Sequence, residues 1–398
     1  MTQTRREFMV QSAAGAAALT GSGLLSTALG RTMIGNARKP LKILFLGGTG
    51  MLGPQFIEPA RARGHEITLF NRGNRAEMFP GLEQIEGNRI VDVEPGLAPL
   101  EEAINNGRRW DVVVDTASVH SWVENSAELL AGVADRYLFI SSLSAYASAS
   151  GPEQREGDPV ATMPDEIADG IDRMPYDMTY YGAVKGRCEA AAERYFPGRA
   201  TVLRPGLIVG PRDFTHRFTY WPYRVRQGGN VLAPGAPEHP VKFIDARDVG
   251  LFMLRTVEDE RFGIYNTNGP VDGGMTIGRL LETCKGVTGS DATFTWVDGE
   301  FLGARGINPW AQMPVWIPPV GEYAGFHSTN LEKSQAAGLT TRPLEETIRD
   351  TLAWFDGWLE GDAKERGFAY EPGVGAPGVS ADQEIETLKA WRERNEGP

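Results

Sequence analysis

Apolar runs at residues 41–46, 66–70, 110–114, 136–141 and 200–204 alternate with stretches of helical period. Strands that alternate with helices predict a parallel, doubly wound sheet. Between Ser148 and Pro175 the chain turns polar, with Gly, Pro and acids. A segment of that composition predicts a loop, and loops at strand ends usually overlie the active site. After Pro205 the pattern becomes irregular and aromatic, with Phe214, Phe218, Tyr220, Trp221 and Tyr223, and later Trp296, Phe301, Trp310, Trp316, Tyr323 and Phe326. Aromatics at this density predict the core of a second lobe, with some left to line a pocket. Pro343 to Trp354 has apolar residues at helical spacing and an acidic first turn. Segment 371–380, rich in Gly and Pro, reads as a linker. Asp382 to Arg394 reads as a last amphipathic helix, either docked on the body or used in the contacts of a homodimer. The expected fold is α/β: a Rossmann-type doubly wound parallel sheet over 38–205, with core segments near 240–270, and a smaller C-terminal α/β substrate lobe over 206–357. Residues 358–398 then hold the linker and final helix.

Three segments carry chemistry. The first apolar run enters Gly47-Gly-Thr-Gly-Met-Leu-Gly53, where Gly47, Gly50 and Gly53 have the spacing G-x-x-G-x-x-G. Glycines there permit a tight turn and close backbone approach to a pyrophosphate at a helix N-terminus. Thr49, Met51 and Leu52 share that turn. Tyr181 and Lys185 lie four apart, so a helix puts both on one face. An ammonium beside a phenol favours phenolate and draws the tyrosine down from about 10, which suits proton exchange with a carbinol oxygen. Ser142 ends an apolar run and either hydrogen-bonds that same oxygen or caps a turn. The second run ends with Asn71, Arg72 and Arg75 and no acid. NAD sites usually place a carboxylate there. Arginines suit a 2′-phosphate, so the expected cofactor is NADP rather than NAD, unless these are solvated loop cations.

Together these segments resemble the extended short-chain dehydrogenase/reductase superfamily, which includes NAD(P)-dependent epimerases and dehydratases. The resemblance spans roughly residues 41 to 357 and extends through Leu203-Arg-Pro-Gly-Leu-Ile-Val-Gly-Pro211 and Val241-Lys-Phe-Ile-Asp-Ala-Arg-Asp-Val249. It implies Tyr181 as general acid/base, Lys185 on the nicotinamide ribose and Ser142 on the substrate oxygen. It implies Thr116 and Ala117 beside the cofactor, although Asp-Thr-Ala departs from the usual Leu-Ala-Ala or Asn-Ala-Gly. It further implies Pro205 at the cofactor and Asn88 near the adenine, and Ser144, Arg212 and His216 are candidate substrate contacts. Phe243 to Val249 is expected to form an ion-paired turn tying the lobe to the Rossmann domain, with a substrate role as the alternative. The resulting expectation is an oxidoreductase or epimerase acting on a sugar-like or other small alcohol or ketone. A dinucleotide-binding scaffold or sensor without turnover is the competing class.

Composition and the N-terminus narrow this reading. A formal charge of −12 argues against nucleic-acid partners. The five histidines show no metal-ligand spacing, so no metal is expected. Cys188 and Cys284 could pair in an oxidising compartment, but a buried thiol is favoured for Cys188 because it shares the Tyr181 helix. Thr4-Arg-Arg-Glu-Phe-Met-Val10 resembles a twin-arginine export signal, followed by a small-residue apolar run. That run lacks the large aliphatic side chains of a spanning helix, so no stable membrane insertion is expected after signal removal. Ala28-Leu-Gly30 and Gly35-Asn-Ala37 are alternative processing sites. A periplasmic or exported location follows, with the cofactor loaded before export.

Overall fold

β1 (Lys42–Leu46) has Ile43, Leu44, Phe45 and Leu46 buried on both of its faces, the signature of a central strand in a parallel sheet. The computed structural model describes residues 37–90, 92–271 and 274–396. The export-signal expectation covers residues 1–37, of which 1–36 lie outside the described residues. Six strands join β1 in one parallel sheet: β2 (Glu66–Asn71), β3 (Glu83–Glu86), β4 (Trp110–Asp115), β5 (Ala134–Ile140), β6 (Ala200–Pro205) and β10 (Gly263–Thr267). Their order is β10-β6-β5-β4-β1-β2-β3. The direction of winding reverses between β1 and β4, and open α/β sheets bind ligands in the crevice at such a point.

All five apolar runs are strands of this sheet, within about two residues of the expected ends. β3 and β10 are additional, at the two edges. β3 reads Glu-Gln-Ile-Glu and remains partly exposed, so it has no apolar run to betray it. Side chains alternate across the sheet. Phe45 packs below with Phe56, Ile57, Leu69 and Phe252, while Leu44 packs above with Phe70, Val113, Val123 and Phe139. On the lower face the helix Leu52–Ala62 meets the helix Ala246–Glu258 closely enough that a Cβ on Gly250 would strike the Gln55 carbonyl.

The second lobe has its own core around Phe218, Trp221, Leu232, Leu280, Trp316 and Ile348. Two parallel pairs stand apart from the main sheet, the short β7 (Ile208–Val209) with β9 (Ile244–Asp245), and, in this lobe, β8 (Asn230–Pro234) with β11 (Thr293–Val297). The helix Ala381–Glu396 docks on this lobe: buried Glu384 accepts the Leu232 N–H at 2.9 Å and pairs with Arg224 at 2.7 Å. Of the two expectations for that helix, the docked one holds within the monomer. Asp245 and Arg247 pair at 2.7 Å, Arg342 reaches Asp248 at 2.9 Å, and the Thr347 hydroxyl donates to Asp245 at 2.9 Å. The 245–248 turn is therefore the expected ion-paired tie. Cys188 and Cys284 are both free and buried, in separate cores, and burial pushes the Cys188 thiol up to about 12. Among the described residues no helix is long and apolar enough to cross a membrane.

The glycine turn sets a tight steric limit. A Cβ on Gly53 would run into the Gly48 carbonyl, whereas one on Gly50 meets nothing within 4 Å. Gly53→Ala is expected to cost about 1–3 kcal/mol by overpacking and Gly50→Ala almost nothing. Thermal melting of both variants checks this, with Gly53→Ala melting lower.

Candidate active site

The site assembles at the C-terminal ends of β1, β4 and β5. Gly47 and Gly48 turn the chain at φ +106° and +89°, a region that glycine enters without steric cost. Leu52 then opens its helix with no side-chain cap, so its first N–H groups are available to a phosphate. The open space at Gly50 and the uncapped helix end together fit a dinucleotide pyrophosphate. β2 exits beside this turn. The Asn71 amide donates to the Gly47 carbonyl at 3.2 Å, and its oxygen accepts the Gly73 N–H at 2.8 Å. Arg75 donates to the Thr49 carbonyl at 3.0 Å, while Arg72 points into solvent.

Asp115 closes β4 from a fully buried position. It pairs with Arg89 at 2.6 Å, accepts the Tyr137 hydroxyl at 2.5 Å, and accepts the Ala117 N–H at 2.8 Å. Burial would push this carboxyl up, but the Arg89 guanidinium and the hydrogen bonds hold it below the ordinary carboxylate range. The ion pair thereby fixes the Thr116–Ala117 backbone. The Thr116 hydroxyl oxygen lies 3.7 Å from where a Gly47 Cβ would sit, so this turn faces the glycine loop. Asn88, next to Arg89, accepts the Ile90 N–H at 3.1 Å. Pro205 is buried at the end of β6, paired with Thr267.

The helix Tyr181–Tyr195 carries the acid/base candidates. A Cβ on Gly182 would strike the Ser144 carbonyl, so glycine there lets Tyr181 approach the turn of Ser142 and Ser144. Ser142 accepts the Ser144 N–H at 3.1 Å. That hydrogen bond makes it a turn cap and leaves its own O–H to donate. Lys185 is 2% exposed, and its ammonium donates to the carbonyls of Ala117 at 2.7 Å and Ile140 at 2.8 Å. It lies 5.9 Å from the Tyr181 ring centre.

Two residues absent from the sequence reading stand near Tyr181. Tyr176 donates to the Ser118 carbonyl at 2.9 Å, and burial and then the Tyr181 phenol push it above its ordinary value. Arg217 donates to the Thr215 hydroxyl at 3.2 Å, and its guanidinium carbon lies 5.1 Å from the Trp310 ring centre. Burial lowers it, opposed by Asp213 and Tyr181. Asp213 binds Thr215 through one oxygen, while its other oxygen is buried without a partner. The run Asp213 to Arg217 has no periodicity that would have marked it. The other lobe candidates sit elsewhere. His216 packs on Phe355, Trp358 and Tyr370, with ring centres 4.8–5.5 Å away, and burial lowers it to about 4. Arg212 turns toward Met78, 3.8 Å from its sulfur.

The Ser148–Pro175 segment is pinned rather than open: Gly325 donates to Ala149 at 2.8 Å, and Gln154 and Ser328 share a backbone bond at 2.9 Å. Among the described residues no cluster could hold a metal ion.

Comparison with known proteins identifies similar chains and folds. Epimerase family protein SDR39U1 of Bos taurus is 24% identical over 247 residues, covering 58% of this chain and 75% of that protein. Phenylcoumaran benzylic ether reductase 1 of Arabidopsis thaliana is 23% identical over 238 residues, covering 55% of this chain and 65% of that protein. The Bordetella bronchiseptica enzyme WbmG in complex with NAD superposes with a TM-score of 0.57 at 20% identity, covering 81% of this chain and 96% of that one. The model of the "NAD dependent epimerase/dehydratase family" matches residues 43–267, more than half of the chain. The chain belongs to that family, enzymes of the extended short-chain dehydrogenase/reductase type.

Proposed function

We propose that the protein is an NADP-dependent oxidoreductase or epimerase in which Tyr181 moves the proton on a substrate oxygen. The observation that carries this reading is the buried Lys185 ammonium, held by two strand-end carbonyls beneath the Tyr181 ring. The cofactor would supply or accept hydride at a carbon. Gly47, Gly50 and Gly53 would hold its pyrophosphate, with Thr49, Met51 and Leu52 in the same turn and Thr116 and Ala117 alongside. Lys185 would bind the nicotinamide ribose, and its charge would stabilise negative charge growing on the Tyr181 oxygen. The Ser142 O–H, whose oxygen already accepts Ser144 N–H, would orient and polarise the substrate oxygen. Arg217, stacked on Trp310, would make a substrate site beside Tyr181 both cationic and aromatic, which suits a small oxygenated compound.

NADP is favoured over NAD by the β2 exit, where Asn71 occupies the position of the usual acid and Arg75 reaches the glycine loop. The WbmG complex contains NAD and UDP, so a nucleotide sugar is one candidate substrate class. The Arg5-Arg6 signal points to work outside the cytoplasm, where nucleotide sugars are scarce, and that shifts the weight to a free or lipid-linked sugar or an aromatic alcohol.

Tyr181→Phe is expected to lower turnover about 10²–10⁴-fold while NADPH binding is retained. NADPH oxidation across a panel of sugars and aromatic ketones, beside a dinucleotide titration, checks this. Equal rates in wild type and variant would remove Tyr181 from the mechanism, and a protein that binds NADPH but turns over nothing would favour the sensor reading. For location, Arg5→Lys/Arg6→Lys should hold the protein in the cytoplasm while wild type fractionates to the periplasm. Identical fractionation contradicts the export signal.

A further inference from the structure

The guanidinium groups of Arg89, Arg204, Arg247 and Arg342 are largely buried, and each meets a carboxylate at 2.6–2.9 Å. Arg217, also partly buried, does not. Its Nε donates to the Thr215 hydroxyl at 3.2 Å, and that hydroxyl donates in turn to Asp213 at 2.6 Å. Thr215 therefore stands where a direct Asp213–Arg217 ion pair would form. Asp213 is 2% exposed, and its second oxygen is buried without a partner. Two groups that would satisfy each other are held apart. The relay aims the guanidinium and leaves its charge unpaired: among the described residues, no acceptor bonds its two terminal nitrogens and no carboxylate pairs with it. A charge drawn out of water without a counter-ion is costly, and an anion at those nitrogens would relieve the cost.

The surroundings place this charge at the substrate side of the site. The chain reaches Arg217 from the C-terminal end of β6 through β7, on the side of the sheet that carries the glycine loop and Tyr181. Trp310 closes one face of the guanidinium, its ring centre 5.1 Å from the central carbon. The same ring packs edge-on against Phe326 at 5.6 Å, and Gly325 bonds Ala149 on the segment that leaves the Ser142 turn. His216, directly before Arg217, stands at φ +54°, and Trp310 at φ +66°. Left-handed backbone strains a non-glycine residue and tends to persist where a ligand is clamped. Burial opposes the Arg217 charge, while Asp213 and then the Tyr181 phenol support it. We propose that Arg217 is a specificity residue that binds a carboxylate of the substrate, so that the compound turned over at Tyr181 is a hydroxy or oxo acid. The inference rests on the acid/base reading of Tyr181 above and adds to it the substrate class. A carboxylate fits better than a phosphate. With Nε engaged by Thr215, the guanidinium keeps the edge of its two terminal nitrogens, which matches the two in-plane oxygens of a carboxylate. Asp213, one hydroxyl away, would repel a second negative charge. Trp310 lies beyond the residues that match the family model and offers a ring face to the skeleton that carries the acid.

The test titrates 4-formylbenzoate, glucuronate, their methyl esters, UDP and inorganic phosphate into protein saturated with whichever of NADP or NAD binds tighter. Oxidation of the matching reduced dinucleotide by the same compounds runs beside it, in wild type, Arg217→Gln, Arg217→Lys and Thr215→Val. Wild type should bind each acid more tightly than its ester, and more tightly than UDP or phosphate. Arg217→Gln should lose about tenfold or more in affinity for the acids, the size of one charge-assisted hydrogen bond, and far less for the esters. Arg217→Lys should recover part of the loss. Thr215→Val, which keeps the charge and removes its aim, should fall between wild type and Arg217→Gln. Acids that bind no better than their esters, or an advantage that survives Arg217→Gln, would overturn the carboxylate subsite. UDP or phosphate binding more tightly than any acid, and weakening in Arg217→Gln, would overturn it as well. Arg217-dependent binding of the acids without turnover would leave the subsite standing and count against the catalytic reading. Turnover that favours the esters and is lost in Tyr181→Phe would do the reverse. If Arg217→Gln fails to fold, the acid–ester comparison in wild type and Thr215→Val decides.

Discussion

The Lys185 ammonium, held between the Ala117 carbonyl just past β4 and the Ile140 carbonyl that ends β5, is the contact on which the site depends. A buried ammonium is costly unless its donors are met, and two backbone oxygens at 2.7 and 2.8 Å meet two of its three donors. Those oxygens are in place only because neighbouring groups hold their strands. Asp115 fixes the Ala117 turn through the Ala117 N–H, and Arg89 holds Asp115 charged in the core. On the other side, Ser141 hydrogen-bonds Glu189, which pairs with Arg204 at 2.6 Å, tying the end of β5 to the Tyr181 helix and to β6. Two buried ion pairs therefore flank one buried cation. Removing one partner of such a pair costs far more than the pair contributes, which makes this arrangement rigid. A rigid Lys185 in turn fixes where Tyr181 can stand.

The sheet was legible because its central strands are buried on both faces and so read as continuous apolar runs. β3 escaped because an edge strand with Glu at both ends carries no such signal. The glycine loop was legible from spacing, yet Gly48, which turns the chain at φ +89° as sharply as Gly47 does, was not singled out. Its role depends on Gly53 packing against its carbonyl, which only the folded turn reveals. Ser142, Tyr181 and Lys185 could be read because their chemistry is local to one turn or one strand end. Arg89 and Arg217 could not, because Asp115 lies 26 residues from the first and the Trp310 ring is far along the chain from the second. His216 shows the opposite error: a polar residue in an aromatic stretch suggested a ligand contact, and the fold buries its ring among Phe355, Trp358 and Tyr370.

The second lobe is more than a cover for the pocket. The Asp245–Arg247–Arg342 network joins it to the Rossmann sheet, and the Ser148–Pro175 segment is stitched to residues 325–330 by backbone bonds. Residues 149–154 thus lie against residues 325–330, far apart in sequence, and the proposed function leaves substrate choice to side chains such as Arg217 and Trp310.

A crystal structure with NADPH bound tests the central assignment most directly. Tyr181 and Lys185 as the acid/base pair require the pyrophosphate on the N–H groups of Gly50 to Gly53, a ribose hydroxyl on the Lys185 ammonium, and the nicotinamide ring facing the Tyr181 oxygen. A nicotinamide turned away from Tyr181, or a dinucleotide seated elsewhere on the sheet, would contradict it.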